Sequence, residues 1–187
     1  MFFMFASMLF PMPASTAEVA GILVPYESKI AGFDGVLLLN GAEVREKFSV
    51  DVYLAALYVT ERQAGVGSLL EEPPANRVSM HFVYSPVTWE KLTAGWQERV
   101  ERNLSAGQSA AVRARLDRFA GLSGDLHEGD AVYLDYIPGD ATEVSENGVS
   151  VGMIDGRDFN SALLGVWLGE APATESLKKA MVGVDKQ

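Results

Sequence analysis

The chain has 187 residues, 48% of them hydrophobic and 21% charged, with 15 Lys and Arg against 25 Asp and Glu and no cysteine. That length and apolar content support one domain with a sizeable core and rule out a disordered or collagen-like chain. A net charge of −10 argues against a nucleic-acid partner, which needs clustered cations, and zero cysteines exclude disulfides, thiolate metal sites and a cysteine nucleophile.

Met1 to Ala17 is uncharged and holds four of the nine Phe and four of the seven Met. Pro11 and Pro13 break the run, which is too short and interrupted for a bilayer span of about 20 apolar residues. Small residues Ser15-Thr16-Ala17 precede Glu18, so residues 1–17 are expected to be a signal peptide and 18–187 the mature domain, although no Lys or Arg occurs before Lys29. The expected location is periplasmic or secreted.

Glu18 to Val24 is a short apolar run ended by Pro25 and predicts a strand. Val36 to Leu39 lies between the turn signals Asp34-Gly35 and Asn40-Gly41 and predicts another. Val50 to Val59, β-branched and aromatic, predicts a central strand. Gly65 to Pro74 is a loop or short helix, and Arg77 to Tyr84 a strand with Val78, Met80 and Phe82 on one side. Ser85-Pro86 then predicts a helix start. Trp89, Leu92, Trp96, Val100 and Leu104 follow at helical spacing as far as Gly107. A second helix carries Val112, Leu116, Phe119 and Leu122. A strand over Ala131 to Ile137 precedes a hairpin at Glu146-Asn147-Gly148 leading into Val149 to Val151. Phe159, Leu163, Val166 and Trp167 mark a third helix stopped by Gly169, and Pro172 opens a last one through Leu177 and Met181. The pattern is α+β, a mainly antiparallel sheet with helices on one face.

Motifs that carry chemistry are few in the chain. Gly65-Val66-Gly67 lacks a third glycine at Leu70, no phosphate-binding lysine follows a glycine-rich turn, and no Gly-x-Ser-x-Gly occurs. His81 and His127 have no metal-ligand spacing. Ten acids against two arginines between Asp117 and Asp158 predict a solvated charged face. Arg45, with Tyr53 eight residues on, could converge on a carboxylate or an enolate, the guanidinium forking onto two oxygens and the phenol adding a donor. The bland alternative is Arg45 paired with Glu43 or Glu46 and a half-buried core tyrosine. Lys91 points away from the Trp89, Leu92 and Trp96 stripe and shares a face with Thr88 and Gly95, which is either solvent or the wall of a cleft.

Leu39-Asn40-Gly41-Ala42-Glu43-Val44-Arg45, followed by Val52-Tyr53-Leu54-Ala55-Ala56-Leu57-Tyr58-Val59, resembles the opening of the chalcone isomerase family, most of all its bacterial chalcone-isomerase-like branch. The likeness continues through Thr88-Trp89-Glu90-Lys91-Leu92, resumes at Gly152-Met153-Ile154-Asp155-Gly156-Arg157-Asp158-Phe159, and covers Glu18 to Gly183. The resemblance implies an α+β fold, a large mainly antiparallel sheet packed against a layer of helices with a cleft between them. It implies either intramolecular cyclisation of an enone or binding of a fatty acid. Arg45 matches the arginine that both roles employ, and Tyr53, or Tyr58 in an alternate register, matches the tyrosine of the fatty-acid binders. The plant enzymes carry Tyr-x-x-Lys-x-x-x-Asn where this chain reads Thr88-x-x-Lys91-x-x-x-Gly95. Loss of one positioned donor costs about 10²–10³ in rate, which disfavours efficient chalcone cyclisation. The candidate ligand-binding set is therefore Arg45, Tyr53, Thr88, Lys91 and Val151, around a fatty acid or similar apolar carboxylate. In the alternative isomerase, an intramolecular lyase, Arg45 is the electrophile and Lys91 assists. A third possibility is a structural or interaction protein with a closed cleft. No cofactor, metal, nucleic acid or stable membrane span is expected, and the oligomeric state is left open.

Overall fold

A computed structural model describes residues 15–183. Of the expected leader only Ser15, Thr16 and Ala17 fall within that range, and Thr16 and Ala17 are part of a strand. The elements in chain order are β1 (Thr16–Val19), β2 (Ile22–Pro25), β3 (Glu27–Ser28), β4 (Leu37–Lys47), β5 (Val50–Val59), α1 (Gly67–Glu71) and β6 (Asn76–Phe82). They continue as α2 (Trp89–Asn103), α3 (Ala106–Ala120), β7 (Ala131–Tyr136), β8 (Ala141–Glu146), β9 (Val149–Asp155), α4 (Arg157–Leu168) and α5 (Glu175–Met181). Strands β3 to β9 form one seven-stranded sheet in sequence order, and every neighbouring pair is antiparallel. No described helix is long and apolar enough to cross a membrane.

The sheet has two apolar faces because the β-period places alternate residues on opposite sides. Tyr53, Ala55, Leu57 and Val59 of β5 face the helices, together with Val78, Met80 and Phe82 of β6. Leu54, Ala56 and Tyr58 face the other way and are covered by the β1–β2 hairpin and by Ile30 and Phe33. The space between sheet and helices is filled by aromatic rings. Trp96 lies 5.7 Å from Trp89, 5.2 Å from Trp167 and 5.7 Å from Phe119, centroid to centroid. The two Trp–Trp pairs are edge-on and the Trp96–Phe119 pair is stacked, and edge-on and offset-stacked pairs at these separations are favourable geometries for ring quadrupoles. The centre of the helix–sheet interface is thus closed, and an opening is left at its edge.

Several boundaries differ from the sequence expectation, each for a visible reason. Glu18 to Val24 is not one strand but the hairpin β1–β2, because Ala20 and Gly21 take positive φ (50° and 80°) and turn the chain. Strand β4 does not stop at Asn40-Gly41 but runs through it with a register shift between Leu39 and Gly41. The Asn40 side chain donates to the carbonyls of Gln63 (2.9 Å) and Met181 (2.7 Å) and accepts from the Gln63 N–H (2.7 Å). Ser85-Pro86 does not open a helix. Val87 bridges Leu126 in extended conformation, so α2 begins three residues later, with Thr88 in the N-cap position. Ala106 and Gly107 belong to α3, whose start is fixed by a capping box between Ser105 and Gln108. Strand β8 had no separate signal, and α5 starts at Glu175, capped by the Thr174 hydroxyl, rather than at Pro172. The acidic stretch is not wholly solvated: Asp135 is buried and paired with Arg77, and Asp158 is paired with Arg115.

Candidate functional site

The β4–β5 register sets Arg45 directly opposite Tyr53, so both side chains lie on the helix-facing side. The Arg45 guanidinium carbon sits 5.8 Å from the centroid of the Tyr53 ring, within cation–π range. Tyr53 is fully buried, and Trp167 donates its indole N–H to the phenol oxygen at 3.2 Å. Burial raises the Tyr53 pKa, while Arg45 and the Trp167 and Trp96 indoles act against that rise. The phenol is therefore a neutral post that supports Arg45 from beneath and is not itself a wall of the opening. Tyr58, the alternate, lies on the opposite face beside Leu39 and Arg77, its phenol pushed up to about 12 by burial.

Beside Arg45 opens a cleft of about 640 Å³, inside the range of small-molecule sites, roughly 300–1,000 Å³. One wall is the β4–β5 hairpin, with Arg45, Lys47, Val50 and Val52. The facing wall is α2, which contributes Lys91, Leu92, Gly95, Trp96 and Arg99, and the linker from Tyr84 to Thr88 closes one end. The hairpin tip is a two-residue turn in which Phe48 and Ser49 both have positive φ (53° and 60°). Such turns favour Asn and Gly, so an aromatic residue there is strained. The turn holds Phe48 outward, 90% exposed, at the rim of the cleft, with Tyr84 46% exposed on the same rim.

The electrostatics of the cleft oppose those of the chain. Arg45, Lys47, Lys91 and Arg99 line it against one acid, Glu98, whose carboxylate is held by Arg102 at 2.5 Å. Among the described residues none of the four cations has a carboxylate within ion-pair distance. Glu43 does not pair with Arg45; one of its carboxylate oxygens accepts from the Val44 N–H at 3.0 Å. The Thr88 hydroxyl is buried without a hydrogen-bond partner. A Cβ added at Gly95 would meet no protein atom within 4 Å. Glycine costs about 1 kcal/mol in a helix interior, and no neighbouring protein atom requires it at this position; its effect is to widen the cleft.

Of the expected site residues, Arg45, Thr88 and Lys91 line this cleft and Tyr53 lies behind it. Val151 does not join them; it is on β9, at the far edge of the sheet from β4, and packs on the main core. Lys47 and Arg99 were not anticipated, although Arg99 continues the Thr88, Lys91, Gly95 stripe by one further turn. A second depression of about 530 Å³ lies among α1, α3 and α4. Its one cation, Arg157, is paired with Glu72, Asp158 is paired with Arg115, and the Asn103 amide is bonded to Gly165 and Ala171, while Glu71 and Glu170 add two further acids. Among the described residues no group of three or more His, Asp or Glu is placed to hold a metal.

A seven-stranded antiparallel meander, one helix layer and a cleft at the edge between them define an α+β protein with an open site beside Arg45. The chain belongs to the chalcone isomerase-like family, whose model matches residues 16–183. Its fold is similar to the crystal structure of a fatty-acid binding protein from Arabidopsis thaliana, with a TM-score of 0.74 at 16% identity, covering 90% of this chain and 96% of that one. No curated protein matches the sequence.

Proposed function

We propose that the protein binds a small apolar carboxylate, a fatty acid in the first instance, with its head at Arg45 and its chain against Val50, Val52, Val87, Leu92 and Trp96. The observation that carries this reading is Arg45 itself: a guanidinium without a carboxylate partner among the described residues, at a cleft that also has apolar walls, in a chain of net charge −10. The guanidinium fork matches the two oxygens of a carboxylate, and the ring of Tyr53 fixes its position. The fatty-acid binding of the Arabidopsis protein that shares the fold supports the same class of ligand. Thr88 and Gly95, standing where cyclising enzymes carry a tyrosine and an asparagine, favour binding over catalysis.

Displacement of a fluorescent fatty acid by oleate tests this. Charge-assisted hydrogen bonds contribute about 1.5–3 kcal/mol, so Arg45→Ala is expected to weaken oleate tenfold or more. Gly95→Leu, which places a side chain in open cleft space, is expected to weaken it comparably. Oleate affinity unchanged in both folded variants would refute the site.

A further inference from the structure

We propose that the headgroup this cleft selects carries two or more negative charges, a phosphate monoester on an acyl chain in preference to a simple carboxylate. The inference rests on the binding role proposed above and sharpens its ligand class. One carboxylate is satisfied by one guanidinium fork, yet the cleft presents four cations from two facing walls. Lys91 and Arg99 are eight residues apart on α2, about 12 Å along the helix axis, and Arg45 and Lys47 stand on the hairpin opposite.

This grouping departs from how the chain treats six of its seven other arginines, Arg62 being the exception. Arg77, Arg102, Arg113, Arg115 and Arg157 each hold a carboxylate, and Arg118 holds the Met153 carbonyl. The cleft cations have no such partner among the described residues, and the one acid beside them is drawn away to Arg102. A monoanion would leave most of this like charge uncompensated in a concave site, where walls of low dielectric focus the field. A phosphate monoester near pH 7 brings −1.5 to −2 charges and three acceptor oxygens.

The test compares oleate with 1-oleoyl-lysophosphatidate, both below their micellar concentrations, by displacement of the same fluorescent probe from the full chain. Lysophosphatidate is expected to bind at least tenfold more tightly at pH 7.4. Lys91→Met and Arg99→Met are each expected to shrink that preference at least threefold. Oleate binding as tightly as lysophosphatidate, or a preference untouched in both variants, would overturn the inference and leave the fatty-acid reading standing. Failure of both ligands to bind would overturn the two together.

Discussion

Gly41→Ala is expected to destabilise the protein by roughly 3 kcal/mol, which for a domain of this size lowers the melting temperature by about 10 °C. A Cβ at Gly41 would lie 1.8 Å from the Ala180 carbonyl oxygen and 2.8 Å from its carbon, so strand β4 and helix α5 must part. The loss follows from what α5 buries: Leu177 and Met181 are both fully enclosed in the main core, and each such side chain is worth about 1.5–3 kcal/mol. The Asn40 bond to the Met181 carbonyl goes with them. Circular dichroism melting gives the size of the effect and hydrogen exchange gives its place, expected in α5 and the adjoining part of β4. A variant melting within about 2 °C of wild type would show that α5 is not held by this contact.

The second large effect is expected from Arg77→Ala, on the face of the sheet turned away from the helices. Arg77 grips Asp135 with two bonds, Nε to Oδ1 at 2.6 Å and Nη2 to Oδ2 at 2.5 Å, donates to the Ser28 hydroxyl at 2.7 Å, and stacks 4.7 Å over Tyr133. Burial pushes the Asp135 carboxyl up, and Arg77 pulls it back down. Removing the guanidinium leaves a buried carboxylate without its cation, a change that costs about 3–5 kcal/mol. The pH dependence separates this cause from lost packing. Without Arg77 the folded-state pKa of Asp135 stands further above its unfolded value, so the penalty is full at neutral pH and is relieved as protonation begins. The stability gap to wild type is therefore expected to narrow between pH 7 and pH 4 in urea titrations. A gap of constant size across that range would assign the loss to packing instead. The double variant Arg77→Met with Asp135→Leu should recover most of the stability, since an apolar pair of similar volume replaces a buried ion pair at little cost.

These two positions also show where the sequence could and could not be read. The central strand, the two long helices and the Asn147-Gly148 hairpin are legible because periodicity and turn chemistry are local. Asn40-Gly41 is the same dipeptide type as Asn147-Gly148, yet it lies inside a strand. What reassigns it are partners 23 and 141 residues away, Gln63 and Met181, which no local pattern contains. Arg77 and Asp135 each read as an ordinary strand residue, Asp135 as one acid of a solvated charged face, and only the β6–β7 register joins them.

The site divides in the same way. Arg45 and Tyr53 were found as a pair through their spacing and the family resemblance, and Thr88, Lys91 and Gly95 through helical periodicity. Lys47 and Phe48 escaped because a type of turn that favours Asn and Gly is here made by Phe48-Ser49, so the hairpin that builds one wall left no signal. Val151 was misplaced because a position on a strand does not say how many strands separate it from β4.

The most direct test of the Arg45 cleft as an anion-binding site is the carboxyl ¹³C resonance of labelled oleate bound to wild type and to Arg45→Ala, followed against pH. An adjacent guanidinium favours the ionised carboxylate. The wild-type complex is predicted to show one bound signal whose midpoint lies below the ordinary carboxylate range, and Arg45→Ala to shift that midpoint upward while weakening binding. A bound carboxyl that titrates identically in both proteins would contradict the account and place the ligand's head elsewhere.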